Sequence, residues 1–268
     1  MRVVSLINSN MICETSSTYA LYYAKSLSLK LSLVHIKESD KLALIEKVYV
    51  DIQRLAILLE VEVELILYDN FEELEQFIRD KNVDILFCST KHKHSLFEES
   101  FAKRVIKLGM KVDLAVVKVV KFAAANCVDK MIMPIRGHHL SVNKFTFFTA
   151  FVNTYHAKAE IFSVDEIKKH QMAALDAKAI KVKLQDVIFN LRHYFRLADI
   201  MKMKFTMKHR YAFSRQDEVQ AHIAKNSYDL AIVGGHRKKN FFYRSHIETL
   251  LEKPIINTIY FIPFNEEV

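Results

Sequence analysis

The chain has 268 residues, about half of them apolar, and 39 Lys and Arg against 31 Asp and Glu, which gives a formal net charge of +8. This length suits two domains of roughly 130 residues, and so apolar a composition excludes a disordered chain. The apolar runs are only as long as strands, so we expect no membrane span and no signal peptide. Cys13, Cys88 and Cys127 have no CxxC spacing, which favours free thiols and a cytoplasmic protein.

The periodicity of the first half predicts strands that alternate with helices. Short apolar runs are followed by segments with apolar residues at three- and four-residue spacing, as in Leu42 to Leu59. The predicted strands are 2–8, 31–36, 62–67, 83–88 and 112–118, and the predicted helices are 15–28, 40–60, 70–81 and 96–108. The stretch 121–129 has neither proline nor glycine and is interpreted as a tight connection.

The second half has the same alternation. Its predicted strands are 130–135, 158–163, 202–208, 229–234 and 256–262, and its predicted helices are 141–155, 165–199, 216–226 and 241–252. Strict alternation of strand and helix implies parallel strands joined by right-handed crossovers, with helices on both faces. The predicted fold class is therefore α/β, with two tandem doubly wound five-stranded parallel-sheet domains, 1–122 and 126–268.

The chain also repeats itself. The stretch that begins at Asp84 aligns without gaps with the stretch that begins at Asp229, 145 residues later, whereas the first strands align at Val3 and Met131, 128 residues apart. Because the two offsets differ, the second copy has extra residues in its middle, and we place them after Ser163. An internal repeat of this kind indicates two copies of one fold.

Two segments of the second half resemble the universal stress protein family. Ile132-Met-Pro-Ile-Arg-Gly137 is similar to the family's first strand, Ile-Leu-Val-Pro-Val-Asp-Gly-Ser, and Asp229-Leu-Ala-Ile-Val-Gly-Gly-His236 is similar to its fourth strand and loop, Asp-Leu-Ile-Val-Val-Gly-Ser-His-Gly. Ser245 and Pro254 match the Ser that opens the family's last helix and the Pro before its last strand. The resemblance covers the chain twice and implies two Rossmann-like, adenine nucleotide alpha hydrolase-like domains with a role in stress response.

The resemblance also implies how the two copies meet. Members of the family often dimerise through their last strands, so the strands Val112 to Val120 and Ile255 to Phe264 are expected to face one another. The tandem chain would then form an intramolecular pseudo-dimer. Association into a further homodimer is left open.

Nucleotide-binding members of the family hold ATP or AMP with a Gly-x-x-Gly loop, about nine further residues and a Gly-Ser, because glycines let backbone N–H groups close around phosphates. In the second copy Gly234 fits the first glycine and Ser245 keeps the hydroxyl position. Arg237 and Arg244 stand at the other two glycine positions, and Arg136 stands where the family has an Asp. The corresponding residues of the first copy include no glycine and are Asn8, Ser89, His92, Glu99 and Ser100. The resemblance therefore implies the fold more firmly than ATP or AMP binding.

The candidate ligand site lies at the carboxyl ends of the strands in the second copy, where open parallel sheets bind ligands. Its predicted binding residues are Arg136, Gly137, Gly234, Gly235, His236, Arg237 and Ser245. One interpretation is a basic cleft for an anionic small molecule, with arginines in place of the lost glycine backbone. The other is a degenerate site whose basic side chains are solvated.

Other chemistry has little support. His92, His94, His138 and His139 have no partner ligands at metal-site spacing, and no catalytic serine or cysteine motif is present. The basic run 202–208 alternates as a half-buried strand does, so we expect no nucleic-acid partner. The favoured hypothesis is a non-enzymatic stress-response or regulatory protein. The alternatives are a nucleotide-binding protein with weak ATP hydrolysis and a ligand-free interaction scaffold.

Overall fold

The computed structural model describes residues 1–8, 11–37, 42–90, 105, 110–136, 140–168, 176–234 and 254–264. The predicted helix 241–252 lies outside these residues. Of the predicted helix 96–108 only Val105 is described, and it is helical.

The described elements alternate between strand and helix in both halves. The first half contains β1 (Arg2–Ile7), α1 (Met11–Leu27), β2 (Lys30–Ile36), α2 (Leu42–Leu59), β3 (Val63–Tyr68), α3 (Phe71–Asp80), β4 (Val83–Thr90) and β5 (Asp113–Lys118). A short 3-10 turn, Phe122–Ala125, connects the halves. The second half contains β6 (Lys130–Arg136), α4 (Val142–Tyr155), β7 (Lys158–Glu166), α5 (Ala177–Ile200), β8 (Phe205–Ala212), α6 (Arg215–Asn226), β9 (Leu230–Gly234) and β10 (Asn257–Ile262).

The strands form one ten-stranded sheet in the order β3-β2-β1-β4-β5-β10-β9-β6-β7-β8. Read outward from the middle, each half has the same order, with its first strand between its second and fourth. The chain is thus two tandem doubly wound five-stranded units, and the predicted fold class is confirmed. In each unit the direction of winding reverses between the first and fourth strands, β1 and β4 or β6 and β9, and this position is the topological switch point at which such sheets bind ligands.

The two units join through their last strands. In β5, Leu114–Lys118 pairs antiparallel with Thr258–Ile262 of β10. The amide oxygen of Asn257 accepts hydrogen bonds from the backbone N–H groups of Val120 and Lys121, at 2.7 and 2.9 Å. These bonds hold the start of the connection against β10, so the stretch that follows β5 is short and fixed, as the sequence predicts.

Aromatic side chains pack the two units together on one face of the sheet. Tyr22 of α1 stacks on Tyr155 of α4 with ring centroids 4.1 Å apart. Phe147 of α4 contacts Tyr23 of α1, with ring centroids 5.0 Å apart. The largest buried cluster includes residues of both units. The units therefore share a hydrophobic core, and burial of this surface favours a fixed arrangement over a flexible tether.

Two predicted boundaries in the second unit are wrong. The helix predicted from residue 165 begins at Ala177, because Asp165 and Glu166 continue β7 and pair with β8. The strand predicted from residue 202 begins at Phe205, because Lys202 has a positive φ of 54° in the turn that ends α5. The extra residues do lie after Ser163, since paired positions are 128 residues apart at β2 and β7 but 142 apart at β3 and β8.

Candidate functional site

The switch point of the second unit is a crevice between β6 and β9. These strands pair only at Met131–Ile132 and Leu230–Ala231. On their outer sides, by contrast, β6 pairs with β7 as far as Arg136 and β9 pairs with β10 as far as Gly234. The carboxyl ends of β6 and β9 therefore lie at one edge of the sheet but separate from each other, which is where a ligand binds in this architecture.

Lys144 reaches into this switch point. It is the third residue of α4, whose N-cap Ser141 accepts a hydrogen bond from the Lys144 backbone N–H at 3.3 Å. A Cβ atom placed on Gly234 would lie 2.6 Å from Cδ and Cε of Lys144 and 2.9 Å from its Nζ. The absence of a side chain at Gly234 therefore makes room for the lysine, and a cation lies against the end of β9.

The predicted binding residues are only partly described. Arg136 ends β6 and Gly234 ends β9, so the two strand ends are neighbours, although the Arg136 side chain is not described. The other predicted binding residues, Gly137, Gly235, His236, Arg237 and Ser245, lie outside the described residues, as does Arg244. All seven stay predictions as ligand-binding residues.

The switch point of the first unit is filled by its own side chains. The thiol of Cys13 donates a hydrogen bond to Oδ1 of Asn8, at 2.9 Å, and lies 3.2 Å from the hydroxyl of Ser89. Asn8 follows β1, Ser89 lies near the end of β4, and Cys13 is buried. These residues bridge the position that lies open between β6 and β9.

Lys144 and Cys13 occupy equivalent positions, which sequence reasoning missed. Each is the third residue of the helix that follows the first strand of its unit. Each contacts a residue at the end of the fourth strand, Gly234 or Ser89, and these two residues are 145 apart as the repeat requires. The repeat alignment contained this signal, but the family motif drew attention to the glycine loop instead.

Cys88 is a core residue, as the sequence suggests. Burial, with a smaller contribution from Cys13, raises the pKa of the Cys88 thiol to about 12. Because the thiolate is the reactive form, this thiol is inert at neutral pH.

A polar cluster of four side chains lies on the same face of the sheet at the ends of β7 and β8. Ser163 and Asp165 are directly opposite His209 and Tyr211. The Ser163 hydroxyl is 2.8 Å from Nδ1 of His209, and Nε2 of His209 is 3.9 Å from Oδ2 of Asp165. The residue types suggest a Ser-His-Asp triad, but Ser163 is fully buried and the Asp165 distance is too long for a hydrogen bond. The cluster therefore has no accessible nucleophile.

A second charged cluster lies under α6, on the opposite face. The buried carboxylate of Glu160 is 2.5 Å from Nε2 of His222 and 2.7 Å from Nζ of Lys208, and the His222 ring stacks on Phe162 at 3.9 Å. Burial alone would raise the pKa of Glu160, but hydrogen bonds from Lys208, Tyr228 and His222 outweigh it and lower that pKa. Glu160 thus stays ionised, and the cluster binds β7, β8 and α6 together.

Metal and membrane sites find no support among the described residues. No group of three or more His, Cys, Asp or Glu side chains converges there, and the four histidines considered from the sequence lie outside them apart from no member. Within the same ranges, every helix is too short or too polar to cross a bilayer.

Comparison with known proteins supports the fold. No protein-family model and no curated protein matches the sequence. Among solved structures, the chain is similar to a universal stress protein from Archaeoglobus fulgidus, with a TM-score of 0.59, 10% identity and 98% of each chain covered. It is also similar to a functionally unknown protein from Pseudomonas aeruginosa, with a TM-score of 0.61, 7% identity and coverage of 98% and 93%.

A third similar structure is the cytoplasmic domain of a prokaryotic cation chloride cotransporter, with a TM-score of 0.63, 10% identity and coverage of 99% and 96%. All three similarities extend over both units, so they concern the tandem arrangement as well as the single unit. The expected resemblance is therefore confirmed at the level of the fold: this chain has the fold of a tandem universal stress protein.

Proposed function

We propose that this protein is a non-enzymatic stress-response or regulatory protein of the cytoplasm that binds an anionic small molecule at the switch point of its second unit. The observation that carries the proposal is the position of Lys144, whose ammonium group lies against Gly234 where β6 and β9 separate. A fixed cation beside the N-terminus of α4, at the ligand edge of the sheet, favours phosphate or another anion.

The ligand class follows from the same geometry. A lysine side chain against Gly234 supplies a point charge in place of the backbone N–H groups that a glycine loop would provide. This arrangement suits a small anion or a monophosphate such as AMP better than the triphosphate of ATP. The basic residues predicted around it, Arg136 and Arg237, would add to the attraction.

A thermal-shift titration tests the proposal. Wild-type protein is titrated with inorganic phosphate, AMP and ATP at low salt, beside Lys144→Met and the control Lys158→Met, which removes an exposed lysine at the opposite edge of the same unit. We expect ligand-dependent stabilisation of the wild type and of the control, and none of the Lys144 variant. No stabilisation by any of the three at millimolar concentration would contradict the proposal and favour the ligand-free scaffold.

The enzymatic alternative is separated by a second readout. Weak ATP hydrolysis needs bound ATP and a group that activates water, and the described part of the second switch point has a cation there instead of a carboxylate. Incubation with ATP is therefore expected to release no phosphate above a buffer blank. Release that disappears in the Lys144 variant would make the protein a nucleotide hydrolase.

A further inference from the structure

The cluster of Ser163, Asp165, His209 and Tyr211 has two polar atoms that nothing satisfies. Among the residues that the structure describes, Nε2 of His209 and the hydroxyl of Tyr211 are buried and have no hydrogen-bond partner. The His209 side chain is only 3% exposed. Buried polar groups are almost always hydrogen-bonded, so two orphaned atoms in one cluster indicate a missing partner.

The two atoms belong to one place. His209 and Tyr211 are two residues apart on β8 and point to the same face, with ring centroids 4.7 Å apart at 82°. The other ring nitrogen of His209, Nδ1, is 2.8 Å from the Ser163 hydroxyl, which fixes the orientation of the ring. The free nitrogen is therefore held in position with no partner in contact.

Asp165 lies opposite these atoms. Its Oδ2 is 3.9 Å from Nε2 of His209, too far for a direct hydrogen bond. An oxygen atom about 2.8 Å from each would bridge them. The Asp165 side chain is 39% exposed, so the cluster is reached from solvent on that side. Lys183 of α5 lies near the same opening, with its Nζ 5.5 Å from the centre of the Tyr211 ring.

The first unit has no such site, although its strands have the same register. His35 and Leu67 stand at the positions of Ser163 and His209. Nδ1 of His35 is 3.0 Å from the carbonyl oxygen of Ile7, and Lys37 pairs with Asp69 at 2.8 Å. The side chains there satisfy one another, so the orphaned atoms are particular to the second unit.

We propose that the space between Asp165, His209 and Tyr211 binds the hydroxyl groups of a small sugar. A sugar hydroxyl donates to the Asp165 carboxylate, and a neighbouring hydroxyl pairs with Nε2 of His209 and accepts from the Tyr211 O–H. Lys183 at the opening favours a sugar that carries a phosphate. This site is separate from the switch point, because its residues lie on β7 and β8 and Lys144 contacts β9.

The test is isothermal titration with D-ribose 5-phosphate and D-ribose, with inorganic phosphate as a competitor. The variants are Tyr211→Phe, which removes only the orphaned hydroxyl, and His209→Gln. Tyr68→Phe is the control on β3, the corresponding edge strand of the first unit. We expect both sugars to bind the wild type and the control. Each cluster variant should bind them about five- to tenfold more weakly, as the loss of one hydrogen bond predicts.

A stability measurement separates ligand binding from a structural role. Because the Tyr211 hydroxyl has no described partner, its removal should leave the urea midpoint of the unliganded protein unchanged or raise it. The proposal is overturned if neither sugar binds, if both variants bind as the wild type does, or if phosphate displaces the sugar phosphate completely. Lys144→Met should leave D-ribose binding unchanged, so a failure here and a failure of the anion proposal are distinguishable.

Discussion

The two units share strand order and register but differ at the position where such folds bind ligands. In the first unit Cys13, Asn8 and Ser89 join the ends of β1 and β4 through side-chain hydrogen bonds. In the second, Lys144 lies against Gly234 and brings a cation to the same place. The difference shows that packing preserves the fold while the strand ends diverge, so function has to be argued from each switch point separately.

The units differ in their interior as well. Glu160, His222 and Lys208 form a charged cluster in the second unit. The repeat places Ser32, Phe77 and Ile66 at the corresponding positions of the first, where Phe77 packs in an apolar cluster and Ile66 borders it. The second unit therefore depends on ionisation for part of its stability, whereas the first depends on apolar burial.

The largest expected effect comes from breaking that cluster. Glu160→Ala leaves Lys208 and His222 without their carboxylate, and removal of one partner of a buried ion pair costs about 3–5 kcal/mol. The matched change in the first unit, Ser32→Ala, removes one hydroxyl and should cost about 1 kcal/mol. Urea unfolding of both variants measures the difference, and equal costs would contradict the comparison.

The same cluster gives the second unit a dependence on pH. The folded state lowers the pKa of Glu160, so its contribution to stability is complete above the ordinary value of 4.5 and is lost as the pH falls through the lowered value. Urea midpoints of wild type and Glu160→Gln should therefore differ most near neutral pH and converge below about pH 4. A difference that stays constant over this range would mean that Glu160 does not titrate.

A smaller effect is expected at the first switch point. Cys13→Ala removes the hydrogen bond to Asn8 and the contact with Ser89, and should lower the free energy of unfolding by about 1–2 kcal/mol. Because this unit is closed by its own side chains, the variant should bind phosphate as the wild type does. A loss of phosphate binding would place the anion site in the wrong unit.

The smallest effect on stability is expected at Gly234. Gly234→Ala meets only the flexible end of Lys144, so the lysine can move and the free energy of unfolding should change by less than about 1 kcal/mol. The displaced ammonium group should nevertheless weaken phosphate binding several-fold. Thermal-shift titration measures both quantities, and unchanged affinity would mean that the position of Lys144 is not important.

The sequence was sufficient for the fold because both signals were regular. Alternating apolar runs and the 145-residue repeat predicted two doubly wound units, and the strand order agrees. The errors lie in the insertion of the second unit, where Asp165 and Glu166 look like the start of a helix but pair with β8. Local periodicity does not report strand pairing, since the partner strand is more than 40 residues away.

The candidate sites were harder to predict. Motif comparison led to Gly234, but Lys144 lies 90 residues earlier in the sequence and meets it only through the fold. His209 and Tyr211 belong to a run that reads as an alternating edge strand, and burial of their polar atoms depends on Ser163 and Asp165 opposite. Neither pairing leaves a pattern in a single sequence.

The central claim is that the second unit binds an anion and the first does not. Calorimetric titration with inorganic phosphate at low salt tests it most directly, because it reports the number of sites. We expect one site per chain, unchanged in Cys13→Ala and lost in Lys144→Met. Two equal sites, or one site that survives in the Lys144 variant, would contradict the account.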